Sequence, residues 1–169
     1  MIYWFTGQPA HGKTILAKKL SYWLTENKHT LPFMIDGDDM RELFSNKDYS
    51  IKGRVENVGT AQRIAHYLHN QGKDVIVALI APYIDQREDF KTLLSGNVTE
   101  IYVHTGETRE RDHFKAIAYV APSNNFIDID TTIDTPDESF QKIINTLPKK
   151  YPEGSLLNEL PPSDYQLDN

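Results

Sequence analysis

The sequence predicts an α/β fold, a three-layer α/β/α sandwich whose middle layer is a five-stranded parallel sheet. Two observations predict it. Short apolar runs typical of strands alternate about five times with segments of helical periodicity, as in a chain of βα units. The run at 74–79 (DVIVAL) is almost continuously apolar, which is typical of a strand buried on both faces of a parallel sheet.

Strands and helices follow one another along most of the chain. Strands are expected at residues 2–6, 32–36, 74–79, 100–104 and 125–129. Helices are expected at residues 13–24, 40–44, 54–71 and 83–94, around 107–115, and from Pro136 onward. Because parallel neighbours need a crossover connection, this order predicts a doubly wound sheet with helices on both faces.

Length and composition indicate one domain of ordinary globular type. A chain of 169 residues, 39% hydrophobic and 25% charged, is long enough for one core and short for two. We expect this domain to cover residues 1–150. Residues 151–169 are expected to be a proline-rich acidic tail that lies on the domain or is partly disordered.

Charge and cysteine content narrow the classes of function. A net charge of −6 argues against broad binding to a polyanion such as duplex DNA, so no nucleic-acid partner is expected. No apolar run approaches the roughly 18 residues of a membrane span, so no membrane partner is expected. The first residues do not resemble a signal peptide and the chain has no cysteine, which favours a cytoplasmic protein.

A phosphate-binding motif joins the first strand to the first helix. Its glycines let the backbone wrap closely around phosphates, while the loop N–H groups and the helix dipole point at the same anion. Lys13 can reach the β- and γ-phosphates, and Thr14 can offer its hydroxyl to Mg²⁺. This motif predicts a P-loop NTPase-type fold. The pattern G-x-x-x-x-G-K-S/T is matched by Gly7, Gln8, Pro9, Ala10, His11, Gly12, Lys13 and Thr14.

A cluster of carboxylates follows the second strand, at the sheet edge where open α/β folds bind ligands. Asp36, Asp38 and Asp39 lie close together there, followed by Arg41. Asp38 could accept the proton of an acceptor hydroxyl or hold Mg²⁺ through water, while Arg41 could neutralise charge on the acceptor. The alternative is a solvated helix cap, because aspartates favour that position. Beside a P-loop, the acceptor site is the preferred interpretation.

Two further clusters could complete an acceptor site. Arg54 could clamp a carboxylate, phosphate or sulfate, and Asn57 could bind a base edge or a ribose. The alternative for Arg54 is a surface salt bridge with Glu56. The segment after the third strand lies at the same sheet edge, although its proline could simply mark a turn. The residues of that segment that could line an acceptor pocket are Ile80, Ala81 and Pro82.

The order of these clusters resembles that of the adenylylsulfate kinase family, whose members phosphorylate the 3′-hydroxyl of adenylyl sulfate. The resemblance covers about residues 1–145, is close through Arg87 and weakens after Thr105. The family's P-loop, D-G-D-N-x-R, G-F-S, R-x-E-N, F-I-S-P and V-D-T segments correspond here to GQPAHGKT (7–14), DGDDMR (36–41), DYS (48–50), RVEN (54–57), LIAP (79–82) and VHT (103–105).

The resemblance implies a phosphotransferase of sulfate assimilation that uses ATP and Mg²⁺, acts on adenylyl sulfate and forms a homodimer. It implies that Asp38 is the catalytic carboxylate. Arg41, Arg54 and Asn57 would contact the acceptor nucleotide. Tyr49 would stack on the acceptor base in place of the family's phenylalanine, since either aromatic face serves that purpose.

The sequence also departs from the family pattern. Asp39 replaces an asparagine, Ala81 replaces a serine, and Gly59 and Thr60 replace an arginine pair. The family's basic lid, with its K-x-F-T-G segment, is absent or remodelled, so an acceptor other than adenylyl sulfate is a further alternative. The basic residues of the shortened stretch at 106–122 are Arg109, Arg111, His113 and Lys115.

Arg109 and Arg111 have two interpretations. As arginines of the shortened lid they could stabilise charge in the transition state of phosphoryl transfer. As residues of a solvated helix they would have no catalytic role. We predict the catalytic role for both.

Other functions remain open at this point. A P-loop kinase of this shape could act on another nucleotide-linked acceptor, such as cytidine diphosphoramidate, on a modified nucleobase, or on the hydroxyl of a sugar or sugar acid. A nucleotide-dependent switch that contacts a protein partner is a further alternative. The sequence has no N-K-x-D-type guanine-binding motif, which disfavours a GTP-dependent switch.

Overall fold

The computed structural model describes residues 1–108 and 115–147, and its strands are all parallel. The strands are β1 (Ile2–Thr6), β2 (Phe33–Asp36), β3 (Val75–Ala78), β4 (Val98–His104) and β5 (Phe126–Asp130). The helices are α1 (Lys13–Lys28), α2 (Gly37–Leu43), α3 (Ile51–Asn70), α4 (Ile84–Leu93) and α5 (Pro136–Thr146). The strands lie in the order β2-β3-β1-β4-β5, which confirms the predicted fold class.

Strand β1 lies at the centre of the sheet, and all its residues are buried. Ile2 lies opposite Val75 of β3 on one side and opposite Val98 of β4 on the other. One apolar cluster packs the sheet against α1 and α5, and a second packs it against α2, α3 and α4. The predicted burial of the 74–79 run is confirmed for residues 75–79, which are all buried, whereas Asp74 is half-buried.

Two helices begin earlier than the sequence predicts because side chains cap them. The Asp36 carboxylate accepts a hydrogen bond from the Asp38 N–H at 2.9 Å, so α2 begins before the predicted residue 40. The Ser50 hydroxyl accepts one from the Gly53 N–H at 3.3 Å, so α3 begins before the predicted residue 54. N-caps depend on these short polar bonds, to which apolar periodicity is insensitive.

The last helix, α5, begins at Pro136 as predicted. Thr135 and Glu138 form a capping box around its first turn, in which the Thr135 N–H donates to Glu138 Oε2 at 2.8 Å. This local bonding fixes the start of a helix whose apolar face, with Phe140 and Ile143, is buried against the sheet.

Two sequence predictions fall largely outside the described residues. Of the helix expected around 107–115, residues 107, 108 and 115 are not helical, and residues 109–114 lie outside the description. The predicted tail at 151–169 lies outside it entirely. Within the described ranges, no helix is both long enough and apolar enough to cross a membrane.

Candidate active site

A cavity of about 390 Å³ opens where β1, β2 and β3 end. The ends of parallel strands are the ligand-binding edge of an open α/β sheet. The cavity is lined by the phosphate loop, by the start of α2, by the start of α3 and by the segment after β3. The four clusters that the sequence placed far apart therefore share one site.

The phosphate loop has the backbone that its glycines permit. Gly7 has a φ of 142°, and a Cβ there would lie 2.0 Å from the Val103 carbonyl oxygen, so only glycine fits. Gly12 has a φ of 100° and precedes the first residue of α1, Lys13. The loop thus brings backbone N–H groups and a helix N-terminus to the mouth of the cavity, where an anion is stabilised.

Lys13 points back over the loop. Its Nζ donates a hydrogen bond to the Gln8 carbonyl oxygen at 2.6 Å, and the side chain is 8% exposed. This places an ammonium group beside the N–H groups of the loop, within the cavity lining. The loop residues that line the cavity are Pro9, Ala10, Gly12, Lys13 and Thr14, whereas the Gln8 side chain bonds elsewhere and His11 is buried.

A hydroxyl and a carboxylate meet at the edge of the phosphate loop. Thr14 Oγ1 donates to Asp36 Oδ2 at 2.8 Å, and Asp36 Oδ1 accepts from the Asp38 N–H. Hydroxyl and carboxylate oxygens are the ligands that Mg²⁺ takes beside substrate phosphates, so these residues fit the ion. The sequence predicts Thr14 and Asp38 as metal-binding residues, and that stays a prediction. The structure adds Asp36, which contacts Thr14, and Asp38 lines the same cavity.

Two arginines surround Tyr49 at the other end of the cavity. The Arg41 guanidinium carbon lies 4.2 Å from the Tyr49 ring centroid, and that of Arg54 lies 5.7 Å from it. Arg41 also donates to the Asp48 carbonyl oxygen at 2.9 Å, and Arg54 Nε donates to the Tyr49 carbonyl oxygen at 3.0 Å. Partial burial lowers the pKa of Arg41 from its ordinary value, although an arginine stays cationic at neutral pH.

Asn57 completes this end of the cavity from α3. It is 7% exposed, and its Nδ2 lies 3.5 Å from the Gly37 carbonyl oxygen. Among the ion pairs of the described residues there is none between Arg54 and Glu56. Arg54 therefore faces the cavity with Tyr49 rather than pairing with its neighbour on the helix.

The segment after β3 forms the remaining wall, with Ile80, Ala81 and Pro82 in the cavity lining as predicted. Ala81 has a φ of 43° and is buried. A residue with a Cβ adopts this conformation only where its surroundings hold it there. The Ala81 carbonyl oxygen accepts a hydrogen bond of 2.5 Å from Arg87 Nη1.

Comparison with known proteins decides the family. A sequence model described as Adenylylsulphate kinase matches residues 1–142. The adenylyl-sulfate kinase of Pseudomonas aeruginosa is 33% identical over 172 residues, with 89% of this chain and 87% of the relative covered. The chain belongs to the adenylylsulphate kinase family. As a member, it is a phosphotransferase that uses ATP and Mg²⁺ and acts on a hydroxyl group.

Solved structures agree with the fold. The APS kinase of Mycobacterium tuberculosis in complex with AMPPNP and APS superposes with a TM-score of 0.72 at 23% identity, covering 85% of this chain and 95% of that chain. The hexameric APS kinase of Thiobacillus denitrificans gives a TM-score of 0.69 at 28% identity, covering 85% of this chain and 28% of that longer chain. The resemblance stated from the sequence is confirmed.

Sequence reasoning missed one feature beneath this adenylylsulphate kinase site. Arg87 and Glu100 are 2% and 1% exposed, and Arg87 Nε donates to Glu100 Oε1 at 2.7 Å. Lys91 Nζ approaches the other Glu100 oxygen at 2.6 Å. The only sign in the sequence is a glutamate inside the apolar run of β4, since a charge buried in a sheet needs a partner.

The structure brings most of the predicted site residues together. Arg109 and Arg111 are the exception, because both lie outside the described residues and no position is assigned to them. The predicted acceptor residues that line one cavity with the phosphate loop are Asp36, Asp38, Arg41, Tyr49, Arg54, Asn57, Ile80, Ala81 and Pro82.

Proposed function

We propose that this chain transfers the γ-phosphoryl group of ATP to the 3′-hydroxyl of adenylyl sulfate, giving 3′-phosphoadenylyl sulfate. The observation that carries the proposal is the shared cavity. Its lining combines a phosphate loop, an aromatic ring flanked by two arginines, and carboxylates. Phosphoryl transfer from ATP to a nucleotide acceptor with an anionic tail needs those three groups in one site.

The phosphate loop would bind the triphosphate through its backbone N–H groups. Lys13 would exchange its bond with the Gln8 carbonyl oxygen for the β- and γ-phosphate oxygens, which are stronger acceptors because they are charged. Mg²⁺ held beside Thr14 would neutralise charge that develops on the transferred group. Asp36 would orient the Thr14 hydroxyl for that ion through the 2.8 Å hydrogen bond.

Asp38 is the residue that we assign to the acceptor hydroxyl. Both oxygens of Asp36 already accept hydrogen bonds, from the Thr14 hydroxyl and the Asp38 N–H. The Asp38 carboxylate, two residues after Asp36, is exposed in the cavity lining. There it would orient the hydroxyl towards the γ-phosphate and receive its proton.

The acceptor nucleotide would bind against Tyr49. Its base would stack on the tyrosine ring, while Arg41 and Arg54, which already flank that ring, would hold the phosphate and sulfate oxygens. Asn57 would supply a donor and an acceptor to the ribose or base. The wall at Ile80–Pro82 would cover the other side of the base.

Four expectations from the sequence stay predictions within this proposal. Arg109 and Arg111 would stabilise charge in the transition state. Residues 1–150 would form the kinase domain, with a separate tail at 151–169. The protein would be a homodimer, whereas the relative from Thiobacillus denitrificans is a hexamer. It would work in the cytoplasm.

A second acceptor class is favoured by residues that differ from the family pattern within or beside the cavity. Ala81, which replaces a serine, lines it, and Asp39, which replaces an asparagine, lies beside it on α2. A serine would offer a hydroxyl where Ala81 has none, and an asparagine would offer an N–H donor where Asp39 has only acceptors. A cytidine diphosphate derivative such as cytidine diphosphoramidate is therefore the runner-up.

A panel of acceptors in an assay that couples ADP release to a spectroscopic change tests the proposal. The panel contains adenylyl sulfate, cytidine diphosphoramidate, a sugar acid and a no-acceptor control. We expect kcat/KM for adenylyl sulfate to exceed every other value at least tenfold. A higher value for another acceptor would replace the proposed substrate, and tight ATP binding without any transfer would favour a nucleotide-dependent switch.

A further inference from the structure

We infer that residues 116–120, called here the bridging segment, connect the phosphate loop to the cavity wall at residues 80–82, called here the acceptor wall. Gln8 and Arg87 are the positioning residues that hold the two ends of the bridging segment. The inference rests on the proposed function, because it names what aligns the two halves of that site. Neither side chain has a role in the phosphate chemistry described above.

The first end of the bridging segment is held by the phosphate loop. Gln8 Nε2 donates to the Ala116 carbonyl oxygen at 3.0 Å, and Gln8 Oε1 accepts from the Ala116 N–H at 3.0 Å. Two bonds from one planar amide fix both the distance and the orientation of the Ala116 backbone. The Gln8 carbonyl oxygen meanwhile accepts from Lys13, so one residue contacts both the catalytic ammonium and the bridging segment.

The second end is held by the acceptor wall. The Val120 N–H donates to the Pro82 carbonyl oxygen at 2.9 Å, and the Val120 carbonyl oxygen accepts from Arg87 Nη2 at 2.7 Å. The same guanidinium donates to the Ala81 carbonyl oxygen. Arg87 forms a buried ion pair with Glu100, so the acceptor wall and the bridging segment are both bonded to one buried, ion-paired guanidinium.

Tyr119 ties the middle of the bridging segment to β1. Its hydroxyl lies 3.1 Å from Thr6 Oγ1, which donates to the Ile80 carbonyl oxygen at 2.8 Å. Thr6 is the residue immediately before Gly7. Burial raises the pKa of Tyr119, so its hydroxyl stays neutral and able to donate across the physiological range.

These contacts form a closed path from the phosphate loop to the wall. A change at Gln8 should therefore move the wall, even though the Gln8 side chain is absent from the cavity lining. The strained backbone of Ala81 makes the wall sensitive to such a change, since a φ of 43° relaxes when the bonds that hold it are weakened.

Gln8→Met tests the inference, because methionine keeps the length of the side chain and removes both bonds to Ala116. The matched control is Gln62→Met: Gln62 is also half-buried, and its Nε2 donates to the Gln86 carbonyl oxygen at 2.8 Å rather than to the bridging segment. We expect Gln8→Met to raise the acceptor KM at least fivefold. The Kd for ATP without acceptor, measured by calorimetry, should change less than twofold, and the control should change neither constant by twofold.

Amide hydrogen exchange supplies a readout that does not depend on the acceptor. Gln8→Met should speed exchange in the peptides that contain residues 116–120 and 79–83, and Gln62→Met should leave both unchanged. Arg87→Lys keeps the charge opposite Glu100 but loses the paired hydrogen bonds to the Ala81 and Val120 carbonyl oxygens. It should speed exchange in the same two peptides. Faster exchange in the 116–120 peptide alone, or equal effects of the two methionine variants, would overturn the inference.

The two proposals fail separately. If the wild-type protein prefers another acceptor, adenylyl sulfate is wrong as substrate, and the KM comparison is made with the acceptor that is turned over. If adenylyl sulfate is turned over and Gln8→Met changes neither its KM nor the exchange of the 79–83 peptide, the proposed function stands and the bridging role is wrong.

Discussion

The two ends of the cavity are built differently. The phosphate end is a continuous stretch of eight residues, 7–14, whose backbone takes positive φ angles at Gly7 and Gly12. The acceptor end is assembled from three separate segments and depends on side chains, of which Tyr49 is 52% exposed. A site made of one local motif tolerates little change, whereas one made of side chains on several segments can change its ligand without loss of the fold. Under the proposed function, the first end would fix the chemistry and the second would select the acceptor.

Lys13→Ala should break the phosphate end alone. We expect kcat to fall by about 10²–10³-fold or more, the range for removing one preorganised electrostatic contact, with the fold retained. The measurement is ADP release together with circular dichroism. Lys18→Ala, an exposed lysine of the same helix, is the control and should stay within twofold. Turnover that survives in the Lys13 variant would contradict the assigned role.

Gly7→Ala should show how tightly the phosphate end is constrained. The new Cβ would lie 2.0 Å from the Val103 carbonyl oxygen, so we expect the free energy of unfolding to fall by about 3–4 kcal/mol from strain plus overpacking. Gly72→Ala is the matched control, because Gly72 also has a positive φ, of 75°, but a Cβ there meets nothing within 4 Å. It should cost about 1–2 kcal/mol. Urea denaturation measures both, and equal losses would mean that the loop relaxes around the clash.

Asp36→Asn tests the carboxylate that contacts the Thr14 hydroxyl. The amide can still accept from Thr14 or from the Asp38 N–H, but it loses the charge beside the Mg²⁺ position. We expect the Mg²⁺ concentration for half-maximal activity to rise about 10–100-fold, the usual effect of changing a group that orients a metal ligand. Asp39→Asn, at an exposed neighbouring carboxylate, should leave that concentration within twofold. A similar shift in both variants would point to general electrostatics.

Tyr49→Ala should affect the acceptor end only. Loss of the aromatic face is expected to raise the acceptor KM about tenfold, since stacking contributes about 0.5–1.5 kcal/mol beyond buried area, while the KM for ATP stays constant. Tyr49→Phe should restore the acceptor KM. Tyr22→Ala, at a more exposed tyrosine of α1, is the control. If the KM values for ATP and acceptor rise together, the division of the cavity into two ends is wrong.

Local sequence patterns are enough to predict most of this fold. Strand β1, the phosphate loop and the start of α5 at Pro136 were predicted within a residue, because spacing, glycine and proline act over a few neighbours. The starts of α2 and α3 were predicted late, because polar caps at Asp36 and Ser50 leave no mark on apolar periodicity. The resemblance to adenylylsulfate kinases then supplied the predicted stacking role of Tyr49, which no spacing rule indicates.

The sequence by itself determined the class of fold, the position of the phosphate site and the set of residues that would meet around it. Only the tertiary structure decided which carboxylate contacts Thr14, how Arg87 is buried with Glu100, and that Gln8 bonds Ala116. The reason is distance along the chain. Gln8 and Ala116 are 108 positions apart, and a hydrogen bond between such residues depends on how separate βα units pack, which no periodicity within either segment encodes.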